Sequence, residues 1–234
     1  MKPAPPVTQT TREVMGTPLP AATLRTYPPL GRAFYQRETV RVARELLGKL
    51  ILRELSEGLV AARLSEVEAY LGVGDPAAHT YRGRETPRNA TMWGEAGHLY
   101  VYFTYGMHHC CNVVTRAPRV PEAVLLRGAV PVLGTEIIAE RRHGRSGRVL
   151  LDGPARLCQG IGIDRVMDGI DLTAGSSLWL ADDGFRLDEE AIVSGPRVGV
   201  AYAGEAAHWP LRFRVDLARP ASHRPRRRRS ARGD

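Results

Sequence analysis

Leu59-Val-Ala-Ala-Arg-Leu-Ser-Glu-Val-Glu-Ala-Tyr70 is the stretch on which the fold turns. It carries neither glycine nor proline and reads as an extended strand. Side chains of a strand alternate between its two faces, so strict alternation places Leu64, Glu66, Glu68 and Tyr70 together on one face. Two carboxylates then share that face with an aromatic ring, within a segment that is otherwise largely apolar. Downstream, Leu99-Tyr-Val-Tyr-Phe-Thr-Tyr-Gly106 followed by Met107 to Thr115 reads as a strand, a tight turn and a returning strand. Tyr100, Tyr102 and Thr104 lie on one face of this hairpin, while Tyr105 falls at its tip. Ala123 to Val132 is a further apolar strand interrupted by Arg127, and Arg197 to Ala201 and Leu211 to Leu217 supply more. Upstream, Thr39 is placed to cap a helix whose apolar face is Ala43, Leu46, Leu47 and Leu50. Mixed strands with few helices predict an α+β fold.

The remaining composition bounds the class. The 234 residues are enough for one sizeable core. Residues 1 to 28 are rich in proline and threonine without a sustained period and are expected to be a disordered leader. Residues 29 to 218 are expected to form the single domain. Residues 219 to 234 contain seven arginines and one aspartate, which is +6 of the formal +8, so the folded part is nearly balanced. That tail is expected to be disordered; it either tethers the protein to phosphates or is simply a solvated charge run. No apolar stretch approaches a membrane span, no secretory signal is visible at the N-terminus, and three cysteines cannot close a disulfide framework. The expectation is a monomer of the cytoplasm, nucleoid-associated if bacterial, without membrane contact.

Gly72 to Gly97 is long for a simple connection and gathers His79, Arg82, Arg84, Arg88 and Trp93, as functional loops often do. The run His108-His109-Cys110-Cys111 invites a metal reading. Consecutive strand residues point to opposite faces, so four in a row cannot surround one ion, and neither CxxC nor HExxH spacing accompanies them. No metal and no cofactor are expected.

Several ordered motifs now converge. Glu66-Val-Glu-Ala-Tyr70-Leu-Gly, Ala78-His79, Arg84-Glu-Thr-Pro-Arg-Asn89, Tyr100-Val-Tyr-Phe-Thr-Tyr-Gly-Met107 and Asn112 resemble the alkyladenine DNA glycosylase family, also called 3-methyladenine or methylpurine DNA glycosylase. Asp152-Gly-Pro-Ala-Arg-Leu-Cys-Gln159 and Arg197-Val-Gly-Val200 are similar to that family as well. The likeness spans roughly Leu30 to Val215. It implies a curved antiparallel sheet with a protruding hairpin, and an enzyme that flips alkylated or deaminated purines (the 3-methyladenine, hypoxanthine and ethenoadenine class) out of double-stranded DNA and hydrolyses the glycosidic bond.

The resemblance also implies roles. Tyr105 matches the wedge that enters the duplex as the nucleotide leaves, a task suited to a flat amphipathic ring. Tyr70 and Tyr102 match the walls between which the base stacks, His79 a residue at its edge, and Asn112 a position near the edge where guanine carries its exocyclic amine. Glu68 matches the general base, and Arg127 with the main-chain carbonyl of Val198 the groups that hold the attacking water. Arg127 has weight of its own, since an arginine inside an apolar strand needs a partner. The bland alternative is a purely structural Glu68 to Arg127 pair, and Glu66 is a second candidate for the base.

Two other classes compete. A damage-binding protein would use the wedge without needing a carboxylate beside stacking tyrosines, and a metal-dependent nuclease would cut strands and fail with a chelator. The lysines give a prediction independent of the likeness. Strand-cutting glycosylases need an amine for a Schiff base, and the only lysines are Lys2 and Lys49, neither in a matched motif. Excision should therefore leave an intact strand with an abasic site, and borohydride should trap no covalent complex. A nick that disappears in Lys49→Ala is the contrary outcome.

Overall fold

The computed structural model describes residues 20–104 and 106–217. Three short helices, α1 (Ala21–Arg25), α2 (Arg32–Tyr35) and α3 (Thr39–Leu46), lead into the antiparallel strands β1 (Leu50–Leu55) and β2 (Gly58–Tyr70). A loop of 3-10 turns connects β2 to the hairpin β3 (Leu99–Thr104) and β4 (His108–Thr115), and β5 (Glu122–Leu133) follows. Helices α4 (Thr135–Arg141) and α5 (Pro154–Ile161) precede the short strands β6 (Leu178–Ala181), β7 (Val193–Gly195) and β8 (Arg212–Arg214). All eight strands form one antiparallel sheet that does not close; its path is β3-β4-β5-β2-β1-β6, with β8 between β2 and β7. The architecture is the expected single α+β domain.

The strand at the centre departs from strict alternation. Leu64 pairs with Ala129, Glu66 with Gly128, and Val67 with Leu126, so Ser65 is an extra residue on β2 and Arg127 an extra residue on β5. Each is a bulge, and one offsets the other, which restores the register beyond them. Before the bulge the main core takes Val60, Ala62 and Leu64; after it the core takes Val67 and Ala69. Leu64 therefore does not share a face with Glu66, Glu68 and Tyr70, as unbroken alternation requires, but lies on the opposite, core side.

Other boundaries also move. The helix expected to be capped by Thr39 is capped by Glu38, whose carboxylate accepts from the amides of Val40 at 3.0 Å and Arg41 at 2.7 Å. The Thr39 hydroxyl is buried and bonded to Thr115 and Glu122 instead. Leu47 is already extended, and Leu50 belongs to β1 rather than to the helix. Lys49, in the connection, pairs with Asp182 at 2.7 Å. Arg197 to Ala201 is not a strand: Gly199 sits at φ +78°, outside extended space, and Arg197 is committed to a buried ion pair. Strand pairing within Leu211 to Leu217 is confined to Arg212–Arg214.

The core lies chiefly on one side of the sheet, where α3 and α5 pack on β2, β4 and β5. A smaller cluster on the other side, with Leu50, Leu52, Leu59 and Trp179, is covered by Leu24 of α1. Residues 20 to 28, expected within the leader, are thus folded onto the sheet, and Trp179 donates to the Tyr27 carbonyl at 3.2 Å. Residues 1 to 19 and the arginine-rich tail lie outside the described residues, as does Tyr105.

Gly160 seats α5. A Cβ there would collide with Leu151 and come within 3.1 Å of Ile138. Although alanine favours a helix by about 1 kcal/mol over glycine, Gly160→Ala should destabilise the protein by about 1–3 kcal/mol, the usual cost of overpacking. The check is a lower urea midpoint at unchanged slope; an unchanged midpoint would mean that α5 can slide.

Candidate active site

Beyond the bulge, β2 turns Glu66, Glu68 and Tyr70 away from the core, and β5 delivers Arg127 beside them. Glu68 has no exposed surface. The Tyr70 hydroxyl donates to its Oε2 at 2.9 Å, the Val198 amide donates to Oε1 at 2.8 Å, and Arg127 Nε stands 3.3 Å from Oε1. Arg127 Nε also donates to Glu66 Oε1 at 2.8 Å, and Arg212 Nε lies 3.2 Å from the same oxygen. Two carboxylates and two guanidiniums are thus interleaved. Glu66 is the electrostatic partner of Arg127 and Arg212, and the aromatic side chain nearest the carboxylates is bonded to Glu68.

Burial raises the Glu68 pKa above the ordinary carboxylate range, against the opposing pull of Arg127, the Val198 amide and the Tyr70 hydroxyl. Burial likewise raises Tyr70 and Tyr102 and pushes Tyr100 up to about 12. Burial and the charge of Arg88 lower the His79 pKa, so the imidazole is neutral at pH 7.

In front of this cluster opens a pocket of about 450 Å³, within the range of small-molecule sites. Tyr70, His79, Tyr102, Asn112, Arg127 and Val198 all line it. Apart from Tyr105, which lies outside the described residues, the residues expected at the site are therefore brought together, with Glu68 immediately behind three groups of the wall. His79 meets the Tyr102 ring edge-on at 4.7 Å between centroids, and its Nδ1 is 2.9 Å from the Tyr100 hydroxyl. Asn112, nearly buried, donates to the Tyr100 carbonyl at 3.3 Å. The Val198 amide contact to Glu68 was not expected from the sequence, which pointed to the carbonyl of Val198 as a group holding the attacking water. The four-residue run on β4 divides as alternation requires: Cys110 lines the pocket, and Cys111 belongs to the core.

Sequence reasoning missed several lining residues. Arg88 donates to the Phe103 carbonyl at 3.0 Å and lies 5.8 Å from the Tyr102 ring centre; in an aperiodic loop nothing distinguished it from Arg82 and Arg84. Tyr100 stacks on Tyr102 at 5.6 Å, and was legible only as a face-mate of Tyr102. Tyr202 and Met92 carry no local signal at all, since the backbone turns that bring them to the pocket are irregular.

The family model for methylpurine-DNA glycosylase matches residues 33–219. The chain belongs to this family. A protein of Desulfitobacterium hafniense, provisionally named 3-methyladenine DNA glycosylase, is 44% identical over 195 residues, covering 80% of this chain and 95% of its own length. Proteins of the same provisional name from Carboxydothermus hydrogenoformans and Streptomyces avermitilis are 48% and 42% identical, covering 73% and 86% of this chain and 88% and 96% of their own lengths. Membership makes the chain a DNA glycosylase, a hydrolase of DNA repair. Among the described residues no helix is long and apolar enough to cross a membrane.

The raised Glu68 pKa carries a stability prediction. Between the ordinary pKa and the raised one the folded state binds more protons than the unfolded state, so stability falls as pH rises through that window. At neutral pH the buried charge is a net cost. Glu68→Gln should therefore raise the melting temperature at pH 7, with a gain that shrinks as pH falls through the raised pKa toward the ordinary carboxylate range. A variant less stable than wild type at pH 7 would mean that the ion pair outweighs desolvation.

Proposed function

We propose that this methylpurine-DNA glycosylase acts on alkylated and deaminated purines, of the 3-methyladenine, hypoxanthine and ethenoadenine class, as a monomer and without a cofactor. The damaged nucleotide leaves the duplex, Tyr105 fills the gap, and the base enters the pocket between Tyr70 and Tyr102. Stacking between electron-rich rings suits electron-poor alkylated bases and tolerates several shapes. His79 meets the base at its edge, and Asn112 stands where an additional exocyclic amine would meet a close-packed wall.

Glu68 is the general base. It accepts a proton from a water that attacks C1′, while its charge stabilises the developing positive sugar and the purine departs. The observation that carries this reading is the Glu68 carboxylate bonded to Tyr70, Val198 and Arg127 directly behind an aromatic pocket. A buried carboxylate accepts a proton more readily than an exposed one, and three donors keep its orientation fixed. Because Glu68 is covered, a water reaches it only by taking the place of one of these contacts. Arg127 is suited to yield, since at 3.3 Å its hold on Glu68 is looser than its 2.8 Å bond to Glu66. Arg127 and Val198 then flank the attacking water.

The test is release of free base from a duplex carrying one hypoxanthine or one ethenoadenine, in EDTA, for wild type and Glu68→Gln. Wild type should generate alkali-labile abasic sites. The variant should bind the lesion but lose excision by at least about 100-fold, the lower range for removing a general base. The wild-type rate should fall with acid along a limb above the ordinary carboxylate range. Tight binding without excision by wild type, on these lesions and on alkylated DNA, would replace catalysis with damage binding.

A further inference from the structure

One buried ion pair lies outside the machinery just described. Asp75 and Arg197 have fully buried side chains, and the guanidinium grips both carboxylate oxygens, with Nη2 to Oδ1 at 2.8 Å and Nη1 to Oδ2. The pair joins three separate segments. Asp75 accepts from the amides of Leu71 and Ala77, each at 3.0 Å, and so fixes the turn that follows β2. Arg197 donates to the carbonyl of Ala69 at 3.0 Å and to that of Ala206 at 3.4 Å. Its guanidinium carbon also stands 4.7 Å from the centre of the Tyr70 ring. Tyr70 lines the pocket and Arg197 does not, so the cation backs the ring from behind.

We propose that Asp75 and Arg197 are positioning residues for the reaction, a strut that holds the Tyr70 hydroxyl and the Val198 amide on the two oxygens of Glu68. This rests on the reading of Glu68 as the base. Ala69, one of the strut's anchors, lies between Glu68 and Tyr70, and Val198 is the next residue after Arg197. The backbone of Tyr70 and the amide of Val198 are therefore each joined by one peptide bond to a residue that the pair fixes. A buried ion pair stabilises a fold no better than a well-packed apolar pair would, whereas the rigid planar fork of arginine fixes direction, which a flexible ammonium does not. Burial lowers the Arg197 pKa, and Asp75 above all, with a smaller contribution from Glu68, raises it.

The experiment has two parts. Single-turnover excision is measured against pH for wild type, Arg197→Lys and Asp75→Asn, with affinity for a duplex carrying an abasic-site analogue measured alongside. Misplacing the donors should lower the plateau rate by about 100-fold, with affinity preserved. It should also move the acid limb to higher pH, because a carboxylate that loses donors holds its proton more tightly. Folded variants with an unchanged acid limb and an unchanged plateau overturn the proposal, as does a loss of rate that only follows a loss of affinity.

Should neither variant fold, the wild-type protein supplies the reading by ¹⁵N NMR. The Val198 amide and the Arg197 guanidinium should titrate with one common midpoint, and both should be flat in Glu68→Gln. A flat Arg197 signal beside a titrating Val198 amide makes the pair a structural staple only. Failure of the underlying reading looks different: Glu68→Gln would release base as fast as wild type.

Discussion

Paired bulges at Ser65 and Arg127 are the constraint on which the site depends. Had β2 kept the alternation of Val60, Ala62 and Leu64, the residues next on the core side would be Glu66, Glu68 and Tyr70. Two carboxylates would then enter an apolar interior, where an unpaired charge costs many kcal/mol, and Val67 and Ala69 would face the pocket. One extra residue on β2 exchanges the faces. A single bulge would leave the rest of the ladder out of register, and the extra residue on β5 restores it. That second residue is Arg127, so the irregularity that makes room for the acids also supplies their counter-charge.

The charge cluster is held by compromise. Every donor that steadies Glu68 also favours its ionised form and so reduces its appetite for a proton, while burial pulls the other way and wins. Glu66 relieves part of this tension. It shares Arg127 and takes up Arg212, so Arg127 is not committed to Glu68 alone. Without Glu66, Arg127 would bear on Glu68 alone. The charge of the second acid also adds, less than burial does, to the raised pKa of the first.

Much of this was legible in the sequence, for reasons that differ by residue. Hydrophobic patterning located β2, the β3–β4 hairpin and β5, and the motifs around Glu68, Tyr70, His79, Tyr102 and Asn112 brought one pocket into view. The bulge was not legible, because a serine in a strand has no composition that separates an extra residue from a paired one, and one residue of slip reversed the face of Leu64. The N-cap was ambiguous for a related reason. Glu38 and Thr39 can both cap, and only the long-range partners Thr115 and Glu122 decide that the threonine is spent elsewhere. Arg197 was visible as part of a motif but read as strand. Its partner Asp75 is 122 residues away, and no local pattern connects them.

The electrostatics of the pocket wall bear on what it can recognise. His79 has its pKa lowered, Tyr70 and Tyr102 have theirs raised, and Cys110 is pushed up to about 11, so every one of these lining groups is uncharged at neutral pH. The permanent charges at the wall are Arg88, beside Phe103 of the hairpin strand, and Arg127, which is paired with two acids behind it. Apart from these two arginines the lining is uncharged. It offers ring contact, shape and a small number of hydrogen-bonding edges. The two carboxylates lie behind that lining, where the face exchange at Ser65 put them.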